Sequence, residues 1–166
     1  NGLRPGSVVE DQPVSVKVVG GTWRPKNYTN KYLGAITLRE AVTQSVNTVA
    51  VQVAQSVGFD KVVDVARRLG ISTEMQPLPS IALGATEVSL LELTDAYAHL
   101  AADGEIVYPY GIVEIRSAKD KVLFKRVASS KGVVLRPGVV HMMNDMLANV
   151  VENGTGRAAR IGRPVA

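Results

Sequence analysis

Apolar positions recur at helical spacing in several stretches of the chain, and the most informative stretch is TLREAVTQSVNTVAVQVAQSV, from Thr37 to Val57. Thr37 and Glu40 have the T-x-x-E spacing of a capping box, in which each satisfies a backbone N–H left unpaired at a helix start. Leu38, Ala41 and Val42 form one apolar stripe, and Val49, Val53, Ala54 and Val57 form a second. Ser45 and Asn47 stand between the two stripes. On an unbroken helix they would lie roughly 200° apart and serve no common pocket. The pattern therefore predicts two short helices meeting at Ser45-Val46-Asn47. Asn47 is expected to cap the second helix and Val46 to turn inward as a peg. Both polar side chains then project one way.

Elsewhere the pattern predicts a modest set of elements. Residues 1–12 are rich in Gly and Pro and read as loop. Val14, Val16 and Val18 alternate with Ser15, Lys17 and Val19, giving a short half-buried strand ended by Gly20-Gly21. Trp23 to Tyr32 reads as an irregular loop pinned by its own aromatics. Asp60 is expected to cap a helix carrying Val62, Val63, Ala66 and Leu69, with Gly70 at its C′ position. Residues 78–89 read as an ordered loop in which Pro77 and Pro79 prevent helix. Ser89 and Glu92 form a second capping box, before a helix with Leu90, Leu93, Tyr97 and Leu100 on one side that stops at Gly104. Residues 106–116 and 121–127 predict a β-hairpin around Ser117–Asp120. Pro137 stands at the first position of a last helix, which carries Val140, Met143, Leu147 and Val150 or Val151 and is closed by Gly154. A Gly- and Arg-rich tail with Pro164 follows. The class is α+β, mostly helical, in one domain-sized unit.

Composition narrows this picture. A chain of 166 residues with 46% hydrophobic content can bury a core, which excludes a disordered segment. The net charge of +4 is scattered over Arg67-Arg68, Lys119, Lys121, Lys125-Arg126, Arg157, Arg160 and Arg163. That scatter suits a solvated surface better than a nucleic-acid face. With no cysteine, disulfide scaffolds and thiolate metal sites are excluded. No run approaches the roughly 18 apolar residues of a membrane span, and no signal peptide opens the chain. The sequence starts at Asn1 and stops at Ala166 in mid-phrase, so it reads as a piece cut from something longer.

Candidate chemistry is sparse. His99 and His141 each fall within a predicted helix without a partner at metal-ligand spacing, and read as surface or packed histidines. No G-x-S-x-G elbow, P-loop or G-x-G-x-x-G is present. Gly154-Thr155-Gly156 can cradle an anion, but a helix C-cap followed by a turn explains it as well or better. Met142, Met143 and Met146 read as core filler. Trp23, Tyr28 and Tyr32 either line a groove or pin their loop. Neither a cofactor nor a metal is called for. Ser45 and Asn47 remain: a hydroxyl and a carboxamide aimed at one cleft can pass a proton and hold a peptide carbonyl or amide. They cannot attack unaided, because a serine nucleophile needs a neighbouring base.

The order and spacing of several phrases then become informative: W-R-P-K-N-Y (23–28), Y-L-G-A-I-T-L-R-E-A-V-T-Q-S-V-N-T-V-A-V (32–51), P-S-I-A-L-G-A-T-E-V-S-L-L-E-L-T-D-A-Y (79–97), A-D-G (102–104), P-Y (109–110) and G-T-G-R-A-A (154–159). Together they resemble the transpeptidase domain of class A, bifunctional penicillin-binding proteins over nearly the whole chain. Such enzymes are serine acyltransferases with S-x-x-K, S-x-N and K-T-G motifs. Here only the second is present, as Ser45-Val46-Asn47; the first is expected shortly before Asn1 and the third soon after Ala166.

The resemblance implies an internal fragment of one transpeptidase domain, residues 1–166. Its fold would be a partial penicillin-binding/β-lactamase-like one lacking most of the central sheet: a helical subdomain with a short β-hairpin near 106–127. It implies D,D-transpeptidase chemistry, in which a serine ester forms on a peptidoglycan stem peptide ending in D-Ala–D-Ala and a second stem's amine takes the acyl group. β-Lactams are taken by the same route. Ser45 would join the proton network and Asn47 would hydrogen-bond the substrate amide. The parent would work at the periplasmic face of the bacterial inner membrane, held only by its own anchor. The isolated piece is expected to be inactive and to carry uncovered apolar faces on the last helix and on 38–57, a route to homo-oligomers. Two other readings compete. A helical DNA-binding module is disfavoured because no predicted helix gathers Arg, Lys and Asn on one face. A non-catalytic interaction module of a larger cell-wall protein is the other.

Overall fold

Short apolar runs and two capping boxes give the computed structural model five α-helices and six short strands among the residues it describes, 2–127, 132–163 and 165. In chain order they are β1 (Val8–Asp11), β2 (Val16–Val18), β3 (Gly21–Trp23), β4 (Gly34–Thr37), α1 (Leu38–Thr43), α2 (Asn47–Val57), α3 (Phe59–Arg68), α4 (Leu90–Ala101), β5 (Glu114–Arg116), β6 (Val122–Lys125) and α5 (Pro137–Asn153). The strands pair antiparallel and only in twos among the described residues: β1 with β4, β2 with β3, β5 with β6. The class is α+β with helices predominating, as the pattern implied. Pro164, noted in the tail, lies outside the described residues.

The N-terminal third differs from the expected loop. Val8 to Asp11 form a ladder with Gly34 to Thr37, in the register Val8 to Thr37 and Asp11 to Gly34. Four-residue strands are too short for a period to show, and this one pairs with a segment more than 20 residues away. Its neighbour β2 turns through Gly20 (φ 84°) into β3, so Gly21 opens a return strand. The loop after Trp23 is not pinned by its aromatics: Tyr28 is 98% exposed and Tyr32 40%, while Pro25 and Asn27 are buried.

Both capping boxes form. Thr37 N–H donates to Glu40 Oε2 at 2.7 Å and Glu40 N–H to Thr37 Oγ1 at 3.2 Å. At α4 the box is extended, because Glu92 also accepts from the N–H and hydroxyl of Ser72 (2.8 and 2.6 Å) and of Thr73 (2.9 Å each). The Ser72 hydroxyl, then Ser89 and Thr73, hold the Glu92 carboxyl well below the usual carboxylate range. One side chain thus ties the loop after α3 to the start of α4.

Four expectations about helix ends and faces are corrected. Val46, not Asn47, is the N-cap of α2, and Asn47 is its first helical residue. Gly58 (φ 103°) caps α3 and leaves Asp60 in the first turn; the two helices follow so closely that a Cβ on Gly58 would lie 2.5 Å from Asp60 Oδ1. Pro79 opens a 3-10 turn through Leu83 instead of preventing helix, since a proline at N1 gives up no needed N–H. On α4, Leu90 (82% exposed), Leu93 and Tyr97 face out, while Ala96 and His99 face in. Gly70 lies against this helix, where a Cβ would meet Asp95 and His99. His99 is therefore a packed histidine, its Nδ1 2.7 Å from the Asp95 carbonyl. His141 is exposed, 3.5 Å from Asp103.

The hairpin is present but shorter than expected, 114–116 with 122–125. Pro137 begins α5 and Gly154 ends it. Of the expected α5 stripe, only Val140 is fully buried. A compact core of Ala41, Val46 and Val49, with Val9, Ile36, Leu38 and Val53 packed on it, joins the β1–β4 ladder to α1 and α2. No helix among the described residues is long and apolar enough to cross a membrane.

Candidate active site

The chain breaks between α1 and α2 by a helix-ending motif normally completed by glycine. Val46 N–H donates to Ala41 O at 2.9 Å and Ser45 N–H to Val42 O at 3.1 Å, the paired bonds of a Schellman end. The left-handed position is Ser45, with φ 54°. A side chain there costs roughly 1–2 kcal/mol relative to the right-handed form. The peg next to it, Val46, is 7% exposed and belongs to the core. Ser45 is exposed, Asn47 half-buried, and both line one broad apolar trough of about 910 Å³ between α1, α2, the 3-10 turn and α5. Both residues thus border the same trough.

The turn is braced from two sides. On one side, α5 docks on the end of α1 at Thr43: Asn149 Nδ2 donates to Thr43 Oγ1 at 2.6 Å and Thr155 N–H to Thr43 O at 3.3 Å. A Cβ at Gly154 would lie 2.2 Å from that carbonyl, so only glycine lets α5 end so close. Arg39 and Asp145 add an exposed ion pair between the same helices, of small weight at a surface. Gly154-Thr155-Gly156 is thus a helix end packed beside the Ser45 turn. Met143 and Met146 line the trough and Met142 is half-buried. None of the three fills the core.

On the other side is a buried polar cluster that the sequence did not reveal. Asp11 is 1% exposed and Thr48 is fully buried. The Asp11 carboxylate accepts from Asn27 Nδ2 (3.0 Å to each oxygen), from Leu33 N–H (2.8 Å) and from the Thr48 hydroxyl. Asn27 Nδ2 also reaches Lys31 O at 3.0 Å, and Asn27 Oδ1 accepts from Thr48 N–H at 3.2 Å. Burial pushes the Asp11 carboxyl up, but Thr48, Asn27 and Leu33 outweigh it and hold the pKa below its ordinary value. Next to Asn27, Lys26 O accepts from Asn47 Nδ2 at 2.9 Å. A carbonyl can pair only with the NH₂ end, so this bond settles the carboxamide's orientation. The available signal was that no Asp or Glu lies between Asp11 and Glu40. Trp23, Tyr28 and Tyr32 do not line the trough.

The penicillin-binding protein transpeptidase domain family matches residues 1–166. The chain belongs to that family. It is 38% identical over 128 residues to penicillin-binding protein 1A of Rickettsia felis, covering 76% of this chain and 16% of the relative. To penicillin-binding protein 1A of Aquifex aeolicus it is 38% identical over 142 residues, covering 86% and 19%. The chain therefore spans less than a fifth of the length of these curated relatives. In fold it is similar to penicillin-binding protein 1A from Haemophilus influenzae (TM-score 0.83, 24% identity, 93% of this chain and 28% of that one). It is also similar to the D,D-transpeptidase domain of a peptidoglycan glycosyltransferase from Eggerthella lenta (TM-score 0.80, 24% identity, 98% and 47%).

In this chain, Ser45→Gly is expected to raise stability by about 0.5–1 kcal/mol, because relief of the left-handed strain exceeds the extra chain entropy of glycine. A urea midpoint no higher than wild type would contradict the strain assignment. The Asp11 cluster sets an acid limit. Its folded-state pKa lies below the unfolded value of about 3.9, so its contribution is fully present above that value and is lost as pH falls through the folded pKa. Urea titrations at descending pH should show Asp11→Asn flattening the loss of stability below about pH 4, from a lower starting stability at pH 7.

Proposed function

We propose that residues 1–166 form part of one D,D-transpeptidase domain, with Ser45 and Asn47 in its active site. The observation that carries this reading is that Ser45 and Asn47 border one trough at a helix break, with the Asn47 carboxamide oriented by Lys26 O. Neither group is built to be the nucleophile, since the described residues place no base beside Ser45. The nucleophile would come from an S-x-x-K segment elsewhere in the intact protein. Its serine oxygen adds to the carbonyl of the penultimate D-alanine, and the C–N bond to the last D-alanine breaks. Ser45 passes the serine's proton toward the departing nitrogen. The amine of a second stem then takes the acyl group from the ester and frees the serine.

Asn47 acts by holding. One of its amide protons is committed to Lys26 O, which leaves Oδ1 and the second amide proton for the substrate's peptide group. Losing one such contact in a transition state costs about 2–4 kcal/mol. β-Lactams would enter by the same route and stay as the serine ester. The intact protein would act on peptidoglycan at the periplasmic face of the inner membrane, through an anchor outside this chain.

The trough is lined by aliphatic and methionine side chains from α1, α2, α3, the 3-10 turn and α5, and an uncovered apolar surface of this kind drives association. In the isolated chain it would pair with a second copy.

Two measurements test this reading. A fluorescent penicillin should label the full-length protein covalently, and Asn47→Ala should slow that labelling by about 10²–10³-fold; no label on the full-length protein would sink the reading. The isolated 166-residue chain should take no label. In light scattering it should grow beyond a monomer with concentration, and a strict monomer at high concentration would remove the self-association.

A further inference from the structure

The Asn47 carboxamide has one protein partner given by the structure, the carbonyl of Lys26. That carbonyl belongs to a loop with no regular backbone ladder, so something else must hold it still. The loop's inward residues are Pro25 and Asn27, and Arg24, Lys26 and Tyr28 between and beside them point to solvent. Asn27 is the loop's fastening. Its two amide protons are spent on Lys31 O, which closes the loop on itself, and on the Asp11 carboxylate. Its oxygen takes the Thr48 N–H at the first turn of α2. Asp11, at the end of β1, then takes the Thr48 hydroxyl and the Leu33 N–H. Three segments far apart in sequence meet at one carboxylate with no ion-pair partner among the described residues. No buried side-chain polar atom is left unpaired among those residues.

We propose that Asp11, Asn27 and Thr48 are positioning residues for Asn47: they lock the 24–33 loop to the start of α2 and so fix the carbonyl that orients the carboxamide. Thr48 adjoins Asn47 in the chain and Asn27 adjoins Lys26, so both ends of the 2.9 Å bond are anchored one residue away in the same cluster. Loosening the cluster frees the loop carbonyl to move relative to α2, and the carboxamide then samples orientations that cannot hold a substrate amide. A misplacement of about 1 Å at a reacting centre can cost on the order of a hundredfold in rate. This inference rests on the transpeptidase reading for its catalytic consequence, and on the hydrogen bonds alone for the lock.

The test uses the full-length protein, with Thr48→Val and Thr48→Ser beside wild type. One readout is hydrogen–deuterium exchange in peptides covering 24–33 and 45–48. The other is fluorescent-penicillin labelling, resolved into the binding constant and the acylation step and scaled to the folded fraction. T48V should raise exchange in both segments and slow acylation about 10- to 100-fold with the binding constant little changed; T48S, which keeps the hydroxyl, should restore both. Wild-type acylation in T48V overturns the proposal even if its melting temperature falls. Should T48V fail to fold, Asp11→Asn, which keeps the side chain's shape, takes its place with the same two readouts, and wild-type acylation there overturns the proposal equally. A wild type that takes no label removes the transpeptidase reading instead. The lock is then decided by exchange, and unchanged protection of 24–33 in the variant overturns it.

Discussion

Two backbone bonds, from Val46 to Ala41 and from Ser45 to Val42, end α1 and turn the chain into α2, and the β1–β4 ladder and α5 are both packed against that turn. The two bonds need a left-handed residue, and that residue is a serine and not a glycine. Strain of this kind persists only where the surroundings over-determine it. Here the peg Val46 is sunk in the core that joins the helices to the β1–β4 ladder. Thr43, two residues before the strained serine, receives the end of α5, and Gly154 is small enough to let that end touch its carbonyl.

The electrostatic organisation is less obvious from a chain with a net charge of +4. Its structurally decisive charged groups are two carboxylates satisfied by neutral donors. Glu92 gathers the 72–73 loop onto α4, and Asp11 gathers the 24–33 loop onto α2. Such hydrogen bonding favours the charged form of each, so both loops are held by groups that loosen in acid. The ion pairs Arg39–Asp145 and Arg116–Asp120, by contrast, are exposed, where solvent takes most of their attraction.

Much of the helical part was legible because its signals are local. Both capping boxes, the Gly70 helix end and the Pro137 start depend on residues within one turn of each other. The break at residues 45–47 was legible for the same reason, since helical geometry forbids two residues at that spacing from sharing a face. The sense of the cap was not. Asn47 is a good N-cap type, but its carboxamide finds Lys26 O, 21 residues away, and Val46 takes the cap position instead.

Sequence alone therefore determined the helices, the Ser45–Asn47 turn and, through the succession of phrases around it, the family. Tertiary structure decided which faces are buried and what holds the site. Leu90, Leu93 and Tyr97 make an apolar stripe by any local rule, yet α4 packs by Ala96 and His99. Asp11, Asn27 and Thr48 each look like ordinary loop or cap residues until β1 pairs with β4 and brings Asp11 beneath α2. A hydrogen bond between residues 37 positions apart leaves no period and no spacing for a sequence to display. It exists only once the chain has closed over it.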